Sequence, residues 1–164
     1  MKKVAIILSG CGSLDGSEIR EALFAMLSLA QNGVKYECFA PNIEQTYVSN
    51  HYTNEKMPGE KRNVLVESAR LARGRVKDIK DLNPNDFDGL LFPGGYGAVL
   101  NLSNFIVKQS TDFEVEPQVE SAVQAFFKSK KPICFLCVSP MIAAKLINGV
   151  KITLGNSEEP SASA

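Results

Sequence analysis

Cys137 stands where an apolar run, Pro132 to Leu136, gives way to Ser139-Pro140 and a helical pattern through Ile147. A thiol at a strand-to-helix turn projects from the sheet edge, and the N-terminus of the following helix favours its thiolate. That is how an α/β protein presents a nucleophile. Gly94 and Gly95, in Pro-Gly-Gly after another apolar run, have no side chains, so their N–H groups can approach a substrate oxygen closely. With the N–H of Val138 they form a candidate oxyanion hole. The acid–base partner has two readings. Asp15-Gly-Ser-Glu18 has capping-box spacing, in which Asp15 caps a helix and Glu18 reaches back to a backbone N–H. The same position sets the Glu18 carboxyl where it could hydrogen-bond the Cys137 sulfur and move protons. Gly10 and Cys11, in Ser9-Gly10-Cys11-Gly12, complete the candidate substrate-facing residues.

Other chemistries fit less well. Cys134 and Cys137 form a C-x-x-C, but residues three apart in an extended strand point to opposite faces about 10 Å apart. A disulfide there would break the strand, and no second Cys/His pair completes a zinc site. No metal ligand set and no organic cofactor are expected. Gly10-Cys11-Gly12 lacks the spacing of a dinucleotide fingerprint, and no acidic residue follows the second strand to hold a ribose. Cys38 and Cys134 read as core residues. The single histidine, His51, lies in a polar loop, which points to an exposed or interface role, while a Cys–His dyad stays open. Arg70 to Lys80 reads as a solvated face.

These residues need elements to position them. Val4 to Leu8 is a strand buried on both faces. Ile19, Leu23, Leu27 and Ala30 fall at helical spacing over Glu18 to Gln31, with Gly33 as the stop. Val34 to Ala40 is the next strand. Pro41 to Arg62 is a long polar loop, of the kind that is functional or forms a dimer contact. Asn63 caps a helix through Arg73, and Gly74 ends it. Asn83 to Asp86 is a turn, Phe87 to Phe92 a strand, and the residues after Gly97 a polar loop. A helix from about Pro117 to Lys128, the Ile133 to Leu136 strand and a helix over Ser139 to Asn148 follow, before a Ser/Pro/Ala tail from Ser157. Strands alternating with helices predict a mostly parallel sheet with helices on both faces, and a site at the strands' C-terminal ends.

With 164 residues the chain reads as a single domain, 1–164. Eighteen basic residues balance eighteen acidic ones, so nothing attracts nucleic acid or an anionic membrane, and small locally recognised ligands fit better. No apolar stretch approaches the roughly 20 residues that span a bilayer, and the apolar start is a strand rather than a signal peptide. Four cysteines within apolar runs fit a reducing cytoplasm better than a disulfide framework.

Ile-Leu-Ser-Gly-Cys-Gly-Ser-Leu-Asp-Gly-Ser-Glu-Ile, Cys-Phe-Ala-Pro-Asn, Asn-His-Tyr-Thr-Asn-Glu, Arg-Asn-Val-Leu-Val-Glu-Ser-Ala-Arg, Phe-Pro-Gly-Gly-Tyr-Gly-Ala and Phe-Leu-Cys-Val-Ser-Pro together resemble the ElbB/ES1 group of the DJ-1/PfpI superfamily. The resemblance spans nearly the whole chain. It implies a flavodoxin-like three-layer sandwich of class I glutamine-amidotransferase-like type, with Cys137 as the elbow cysteine and Glu18 as the acidic residue at its sulfur. It also implies a homodimer and a glyoxalase activity that needs no glutathione or metal, converting glyoxal or methylglyoxal to the 2-hydroxyacid. A redox-sensing or stress-response protein, or a non-catalytic binding module linked to isoprenoid biosynthesis, is the alternative. Glutamine hydrolysis fits poorly, because that class uses a histidine after the cysteine and His51 precedes it. Members of the family continue beyond Gly155, so the chain is expected to lack the family's last strand and helix.

Overall fold

The structure is a computed structural model and describes residues 1–153; the Ser/Pro/Ala tail and the expected family continuation lie outside them. In chain order the elements are β1 (Lys3–Ile7), α1 (Ile19–Gln31), β2 (Lys35–Ala40), a hairpin of β3 (Ser49–Asn50) and β4 (Glu55–Lys56), α2 (Val64–Ala72) and β5 (Val76–Asp78). After two short 3-10 turns come β6 (Gly89–Phe92), α3 (Gly97–Leu100), α4 (Phe105–Lys108), α5 (Pro117–Lys128), β7 (Ile133–Phe135) and α6 (Pro140–Leu146).

Five strands form one parallel sheet in the order β5-β2-β1-β6-β7. Alternate residues along each strand feed opposite faces. Ile6, Leu8, Cys38, Ala40 and Leu91 meet Ala22 and Met26 of α1 and Val64 and Leu71 of α2. Ala5, Ile7, Phe39, Leu90 and Phe92 meet Val119, Val123 and Phe126 of α5 and Ile142 of α6. This is the expected three-layer α/β arrangement. The strand order reverses direction between β1 and β6, and the crevice beyond the carboxyl ends at such a reversal is where open α/β sheets bind ligands.

Three expectations need correction. Residues 98–116 are not a polar loop: they contain α3 and α4, and Val99, Leu100, Leu102, Phe105, Phe113 and Val115 are buried. Their apolar spacing is too short and irregular to show a period, and packing against the α5 side of the sheet holds them instead. The long loop after β2 carries the β3–β4 hairpin. Cys134, expected in the core, is exposed. It shares the register of Leu91 on an edge strand whose helix contact is with α5, on the other face. Among the described residues, no helix is long and apolar enough to cross a membrane.

Candidate functional site

The ends of β6 and β7 are locked together before they diverge. Phe92 and Phe135 stack with ring centroids 4.9 Å apart, a contact of about 0.5–1.5 kcal/mol beyond area burial. The Leu136 N–H donates to Phe92 O at 3.0 Å, extending the pairing by one residue. The next residue, Cys137, has φ 55, in the left-handed region that costs a non-glycine residue about 1–2 kcal/mol. The chain then turns tightly into α6: the Ser139 N–H donates to Leu136 O at 3.0 Å, and Ser139 Oγ donates to the same carbonyl at 2.7 Å. The result is an exposed thiol on a turn fixed from both sides.

Three groups converge on that sulfur. The amides of Gly95 and Val138 and the Glu21 carboxyl are the polar groups that act on it. Glu21 also accepts from the Gly94 N–H at 2.8 Å. A methyl at Gly94 would meet Glu21 Oε2 at 2.5 Å and Cys137 Sγ at 3.1 Å, so glycine here is a condition of the contact. Burial pushes the Cys137 thiol up, and the Glu21 charge adds to this while the two amides pull it down. The expected lowering by a helix N-terminus is therefore reversed. α6 is only seven residues long, and the nearest full charge is negative.

The carboxylate at the sulfur is Glu21, not Glu18. Glu18 is itself the N-cap of α1, accepting from the Glu21 N–H at 2.8 Å and pairing with Arg20 Nε at 2.9 Å. Burial works to raise the Glu18 pKa, but hydrogen bonds from Glu21 and Arg20 outweigh it and hold the carboxyl below its ordinary value. The capping-box reading is displaced too. Asp15 is buried and accepts from the Ser49 N–H at 2.7 Å, in the hairpin rather than the helix. Glu18 nonetheless touches the site through its backbone, whose N–H donates to Gly94 O at 2.9 Å.

The remaining candidates fall elsewhere. Gly94 cannot serve an oxyanion, because its N–H is taken by Glu21; Gly95 and Val138 are the amides directed at the sulfur. Gly10 gives its N–H to Ser68 Oγ at 2.9 Å. Cys11 is half-buried beside the charges of Arg62, Glu67, Arg70 and Asp15, and burial raises its pKa. His51 accepts from the Leu14 N–H at 3.2 Å, with Nδ1 3.3 Å from Ser49 O and Nε2 3.8 Å from Asp15. All of these partners belong to the first loop and the hairpin. Cys38 is buried as expected, with its thiol pushed up to about 12 by desolvation. Among the described residues, no group of three or more His, Cys, Asp or Glu side chains could hold a metal ion.

No protein-family model matches the chain. It is 42% identical over 157 residues to human glutamine amidotransferase-like class 1 domain-containing protein 3, mitochondrial, covering 96% of this chain and 58% of that protein. It is 43% identical over 157 residues to the rat ES1 protein homolog, mitochondrial, covering 96% and 59%. The chain thus spans about three fifths of the length of these curated relatives. A crystal structure of an isoprenoid biosynthesis protein with an amidotransferase-like domain from Ehrlichia chaffeensis matches with a TM-score of 0.85 and 44% identity, covering 92% of this chain and 68% of that one. Glyoxalase III from Candida albicans shares the fold alone, at 15% identity and a TM-score of 0.56 over 90% of this chain and 62% of that one. Relatedness at this identity, together with a thiol turn beside the Gly95 and Val138 amides and a carboxyl, means that the chain belongs to the ElbB/ES1 group of class I glutamine-amidotransferase-like proteins.

Proposed function

We propose that the chain is a cofactor-independent, glutathione-independent enzyme of glyoxalase type, a lyase that converts glyoxal or methylglyoxal to the 2-hydroxyacid through a Cys137 adduct. One observation carries this reading: an exposed thiol meets two backbone amides and a carboxyl at the same sulfur. The Cys137 sulfur adds to the aldehyde carbon while its proton passes to Glu21, and the hemithioacetal oxygen forms between the Gly95 and Val138 amides. Glu21 returns that proton to the hemithioacetal oxygen and, as the carboxylate again, carries the proton of the former aldehyde carbon to the adjacent carbonyl carbon through an enediolate, while the hydroxyl proton shifts to the neighbouring oxygen, leaving a 2-hydroxyacyl thioester. Water hydrolyses the thioester and returns the thiol. The aldehyde carbon is oxidised and its neighbour reduced, so no external redox partner enters.

The name of the Ehrlichia relative, isoprenoid biosynthesis protein, keeps a role in that metabolism as the competing assignment. A cytoplasmic location belongs to this proposal and competes with the mitochondrial one in the curated relatives' names; cell fractionation decides between them. The test of the reaction is conversion of methylglyoxal to lactate and glyoxal to glycolate without glutathione or added metal. Turnover abolished by Cys137→Ser is the expected result. A folded wild-type protein with no turnover, whose Cys137 peroxide selectively oxidises to the sulfinate, transfers the assignment to a redox sensor.

A further inference from the structure

The first loop reaches the thiol site through its backbone. Ser13 O accepts from the Tyr96 N–H at 2.8 Å, and Gly16 O from the Gly97 N–H at 2.9 Å. A methyl at Gly95 would run into Gly16 O and Glu18 N, so the residue whose amide acts on Cys137 lies directly against this loop. From the other side the loop is held by the hairpin. The Leu14 N–H donates to His51 Nε2 at 3.2 Å, and His51 Nδ1 lies 3.3 Å from Ser49 O. A backbone N–H can only donate, so Nε2 carries no proton and Nδ1 carries one. The ring packs closely on the loop: a methyl at Gly12 would meet Cε1 and Nε2 at 2.5 Å.

We propose that His51 is a proton-sensitive positioning residue for the Cys137 site. Its neutral imidazole fixes Leu14, and through the adjoining Ser13 carbonyl and Tyr96 it fixes the Gly95 amide at the sulfur. Histidine is the side chain whose charge ordinarily changes near neutral pH, and this one is 39% exposed, so water delivers the proton. A proton on Nε2 turns the acceptor into a donor. It then faces the Leu14 N–H, donor against donor, while the Asp15 carboxylate stands 3.8 Å away. The ring turns to that charge and Leu14 loses its partner; among the described residues no other group accepts from its N–H. The Asp15 carbonyl is held independently by Gln45 Nε2 and Asn101 Nδ2, each at 2.8 Å. The imidazole therefore controls Leu14 in a way that the Asp15 carboxylate does not. The other titratable groups lie around Asp15, whose charge acts on Cys11 of the same loop, Tyr47 ahead of the hairpin and Arg62 ahead of α2. Tyr96 also acts on Tyr47. On the hairpin itself Glu55 and Lys56 are exposed, with Lys56 Nζ 4.2 Å from the centre of the Tyr47 ring.

Alkylation of Cys137 by iodoacetamide, read by fragment mass spectrometry between about pH 5 and 8, tests the proposal on the thiol itself and does not rest on the proposed reaction. In the wild type the rate should fall about tenfold, beyond the ordinary loss of thiolate, as His51 takes its proton. The Leu14 amide and the His51 ring should titrate together in NMR spectra. His51→Gln, whose amide oxygen accepts the same N–H without titrating, should lose the extra fall and keep the high-pH rate. A side chain that only held the fold would lower the urea midpoint in this variant and leave the pH profile as in the wild type, which overturns the proposal. So does a Leu14 amide that ignores the His51 titration. Should the variant fail to fold, the wild-type NMR titration decides alone. A protein that turns over no carbonyl but shows this profile refutes the reaction and supports the role of His51.

Discussion

Cys11 and Cys137 both follow parallel strands at the same edge of the sheet, but they are built into opposite surroundings. Cys137 is exposed, sits at φ 55, and has two amides and a carboxyl directed at its sulfur. Cys11 is half-buried among Asp15, Arg62, Glu67 and Arg70, and those charges are occupied with one another: Arg70 Nε lies 2.9 Å from the buried Glu67 carboxylate. Around Cys11 the polar groups fasten the first loop to α2 and the hairpin. Around Cys137 they are left facing a reactive atom. A thiol at a strand end is therefore no sufficient sign of a site; what matters is whether the surrounding donors are already spent.

Five substitutions break or sharpen that contrast. Gly16→Ala should have the largest effect, because its new methyl would run into the backbone of Gly10, at 2.7 Å from the carbonyl carbon, and of Cys11. A loss of about 2–4 kcal/mol is expected, measured as a lower urea midpoint. Gly94→Ala strikes the other thiol, forcing Cys137 and Glu21 apart. Carbonyl turnover should fall about 100-fold in a protein that still folds. Asp15→Ala leaves the Ser49 N–H without its acceptor and should cost about 1–3 kcal/mol, with Cys137 alkylation unchanged. Its counterpart, Glu21→Gln, removes a charge that holds the Cys137 thiol up, so the pH midpoint of alkylation should move down from its elevated wild-type position. The smallest effect belongs to Glu18→Ala: loss of a helix cap, about 0.5–1 kcal/mol by thermal denaturation.

Much of this contrast was legible before the structure. The apolar runs and turn residues located the sheet and the thiol turn, and the Asn63 cap appears as expected, with its side chain accepting from the Val66 N–H. The choice between Glu18 and Glu21 was not legible. Asp15 and Glu18 have capping-box spacing, but the loop spends the Asp15 carboxylate on the hairpin, and α1 begins at Ile19. Glu21 is one turn further on, and only the close approach of Gly94 to that turn reveals it. The signal that could have found it is its place beside the buried Ala22, on the side of the helix opposite Leu23. Cys134 was misread for a different reason. An apolar run has the same composition at the centre of a sheet as at its edge, and only strand order separates the two.

The peptide of Gly94 is held at both ends by one helix: its oxygen by the Glu18 N–H, its nitrogen by the Glu21 carboxylate. The first turn of α1 thus acts as a jig. If the helix slides along its axis, the carboxyl and the adjoining Gly95 amide travel with it, so their mutual spacing survives breathing motions that would scramble a site assembled from independent loops. Tolerance to such motion lets the reactive geometry stay constant while the outer faces of the molecule vary.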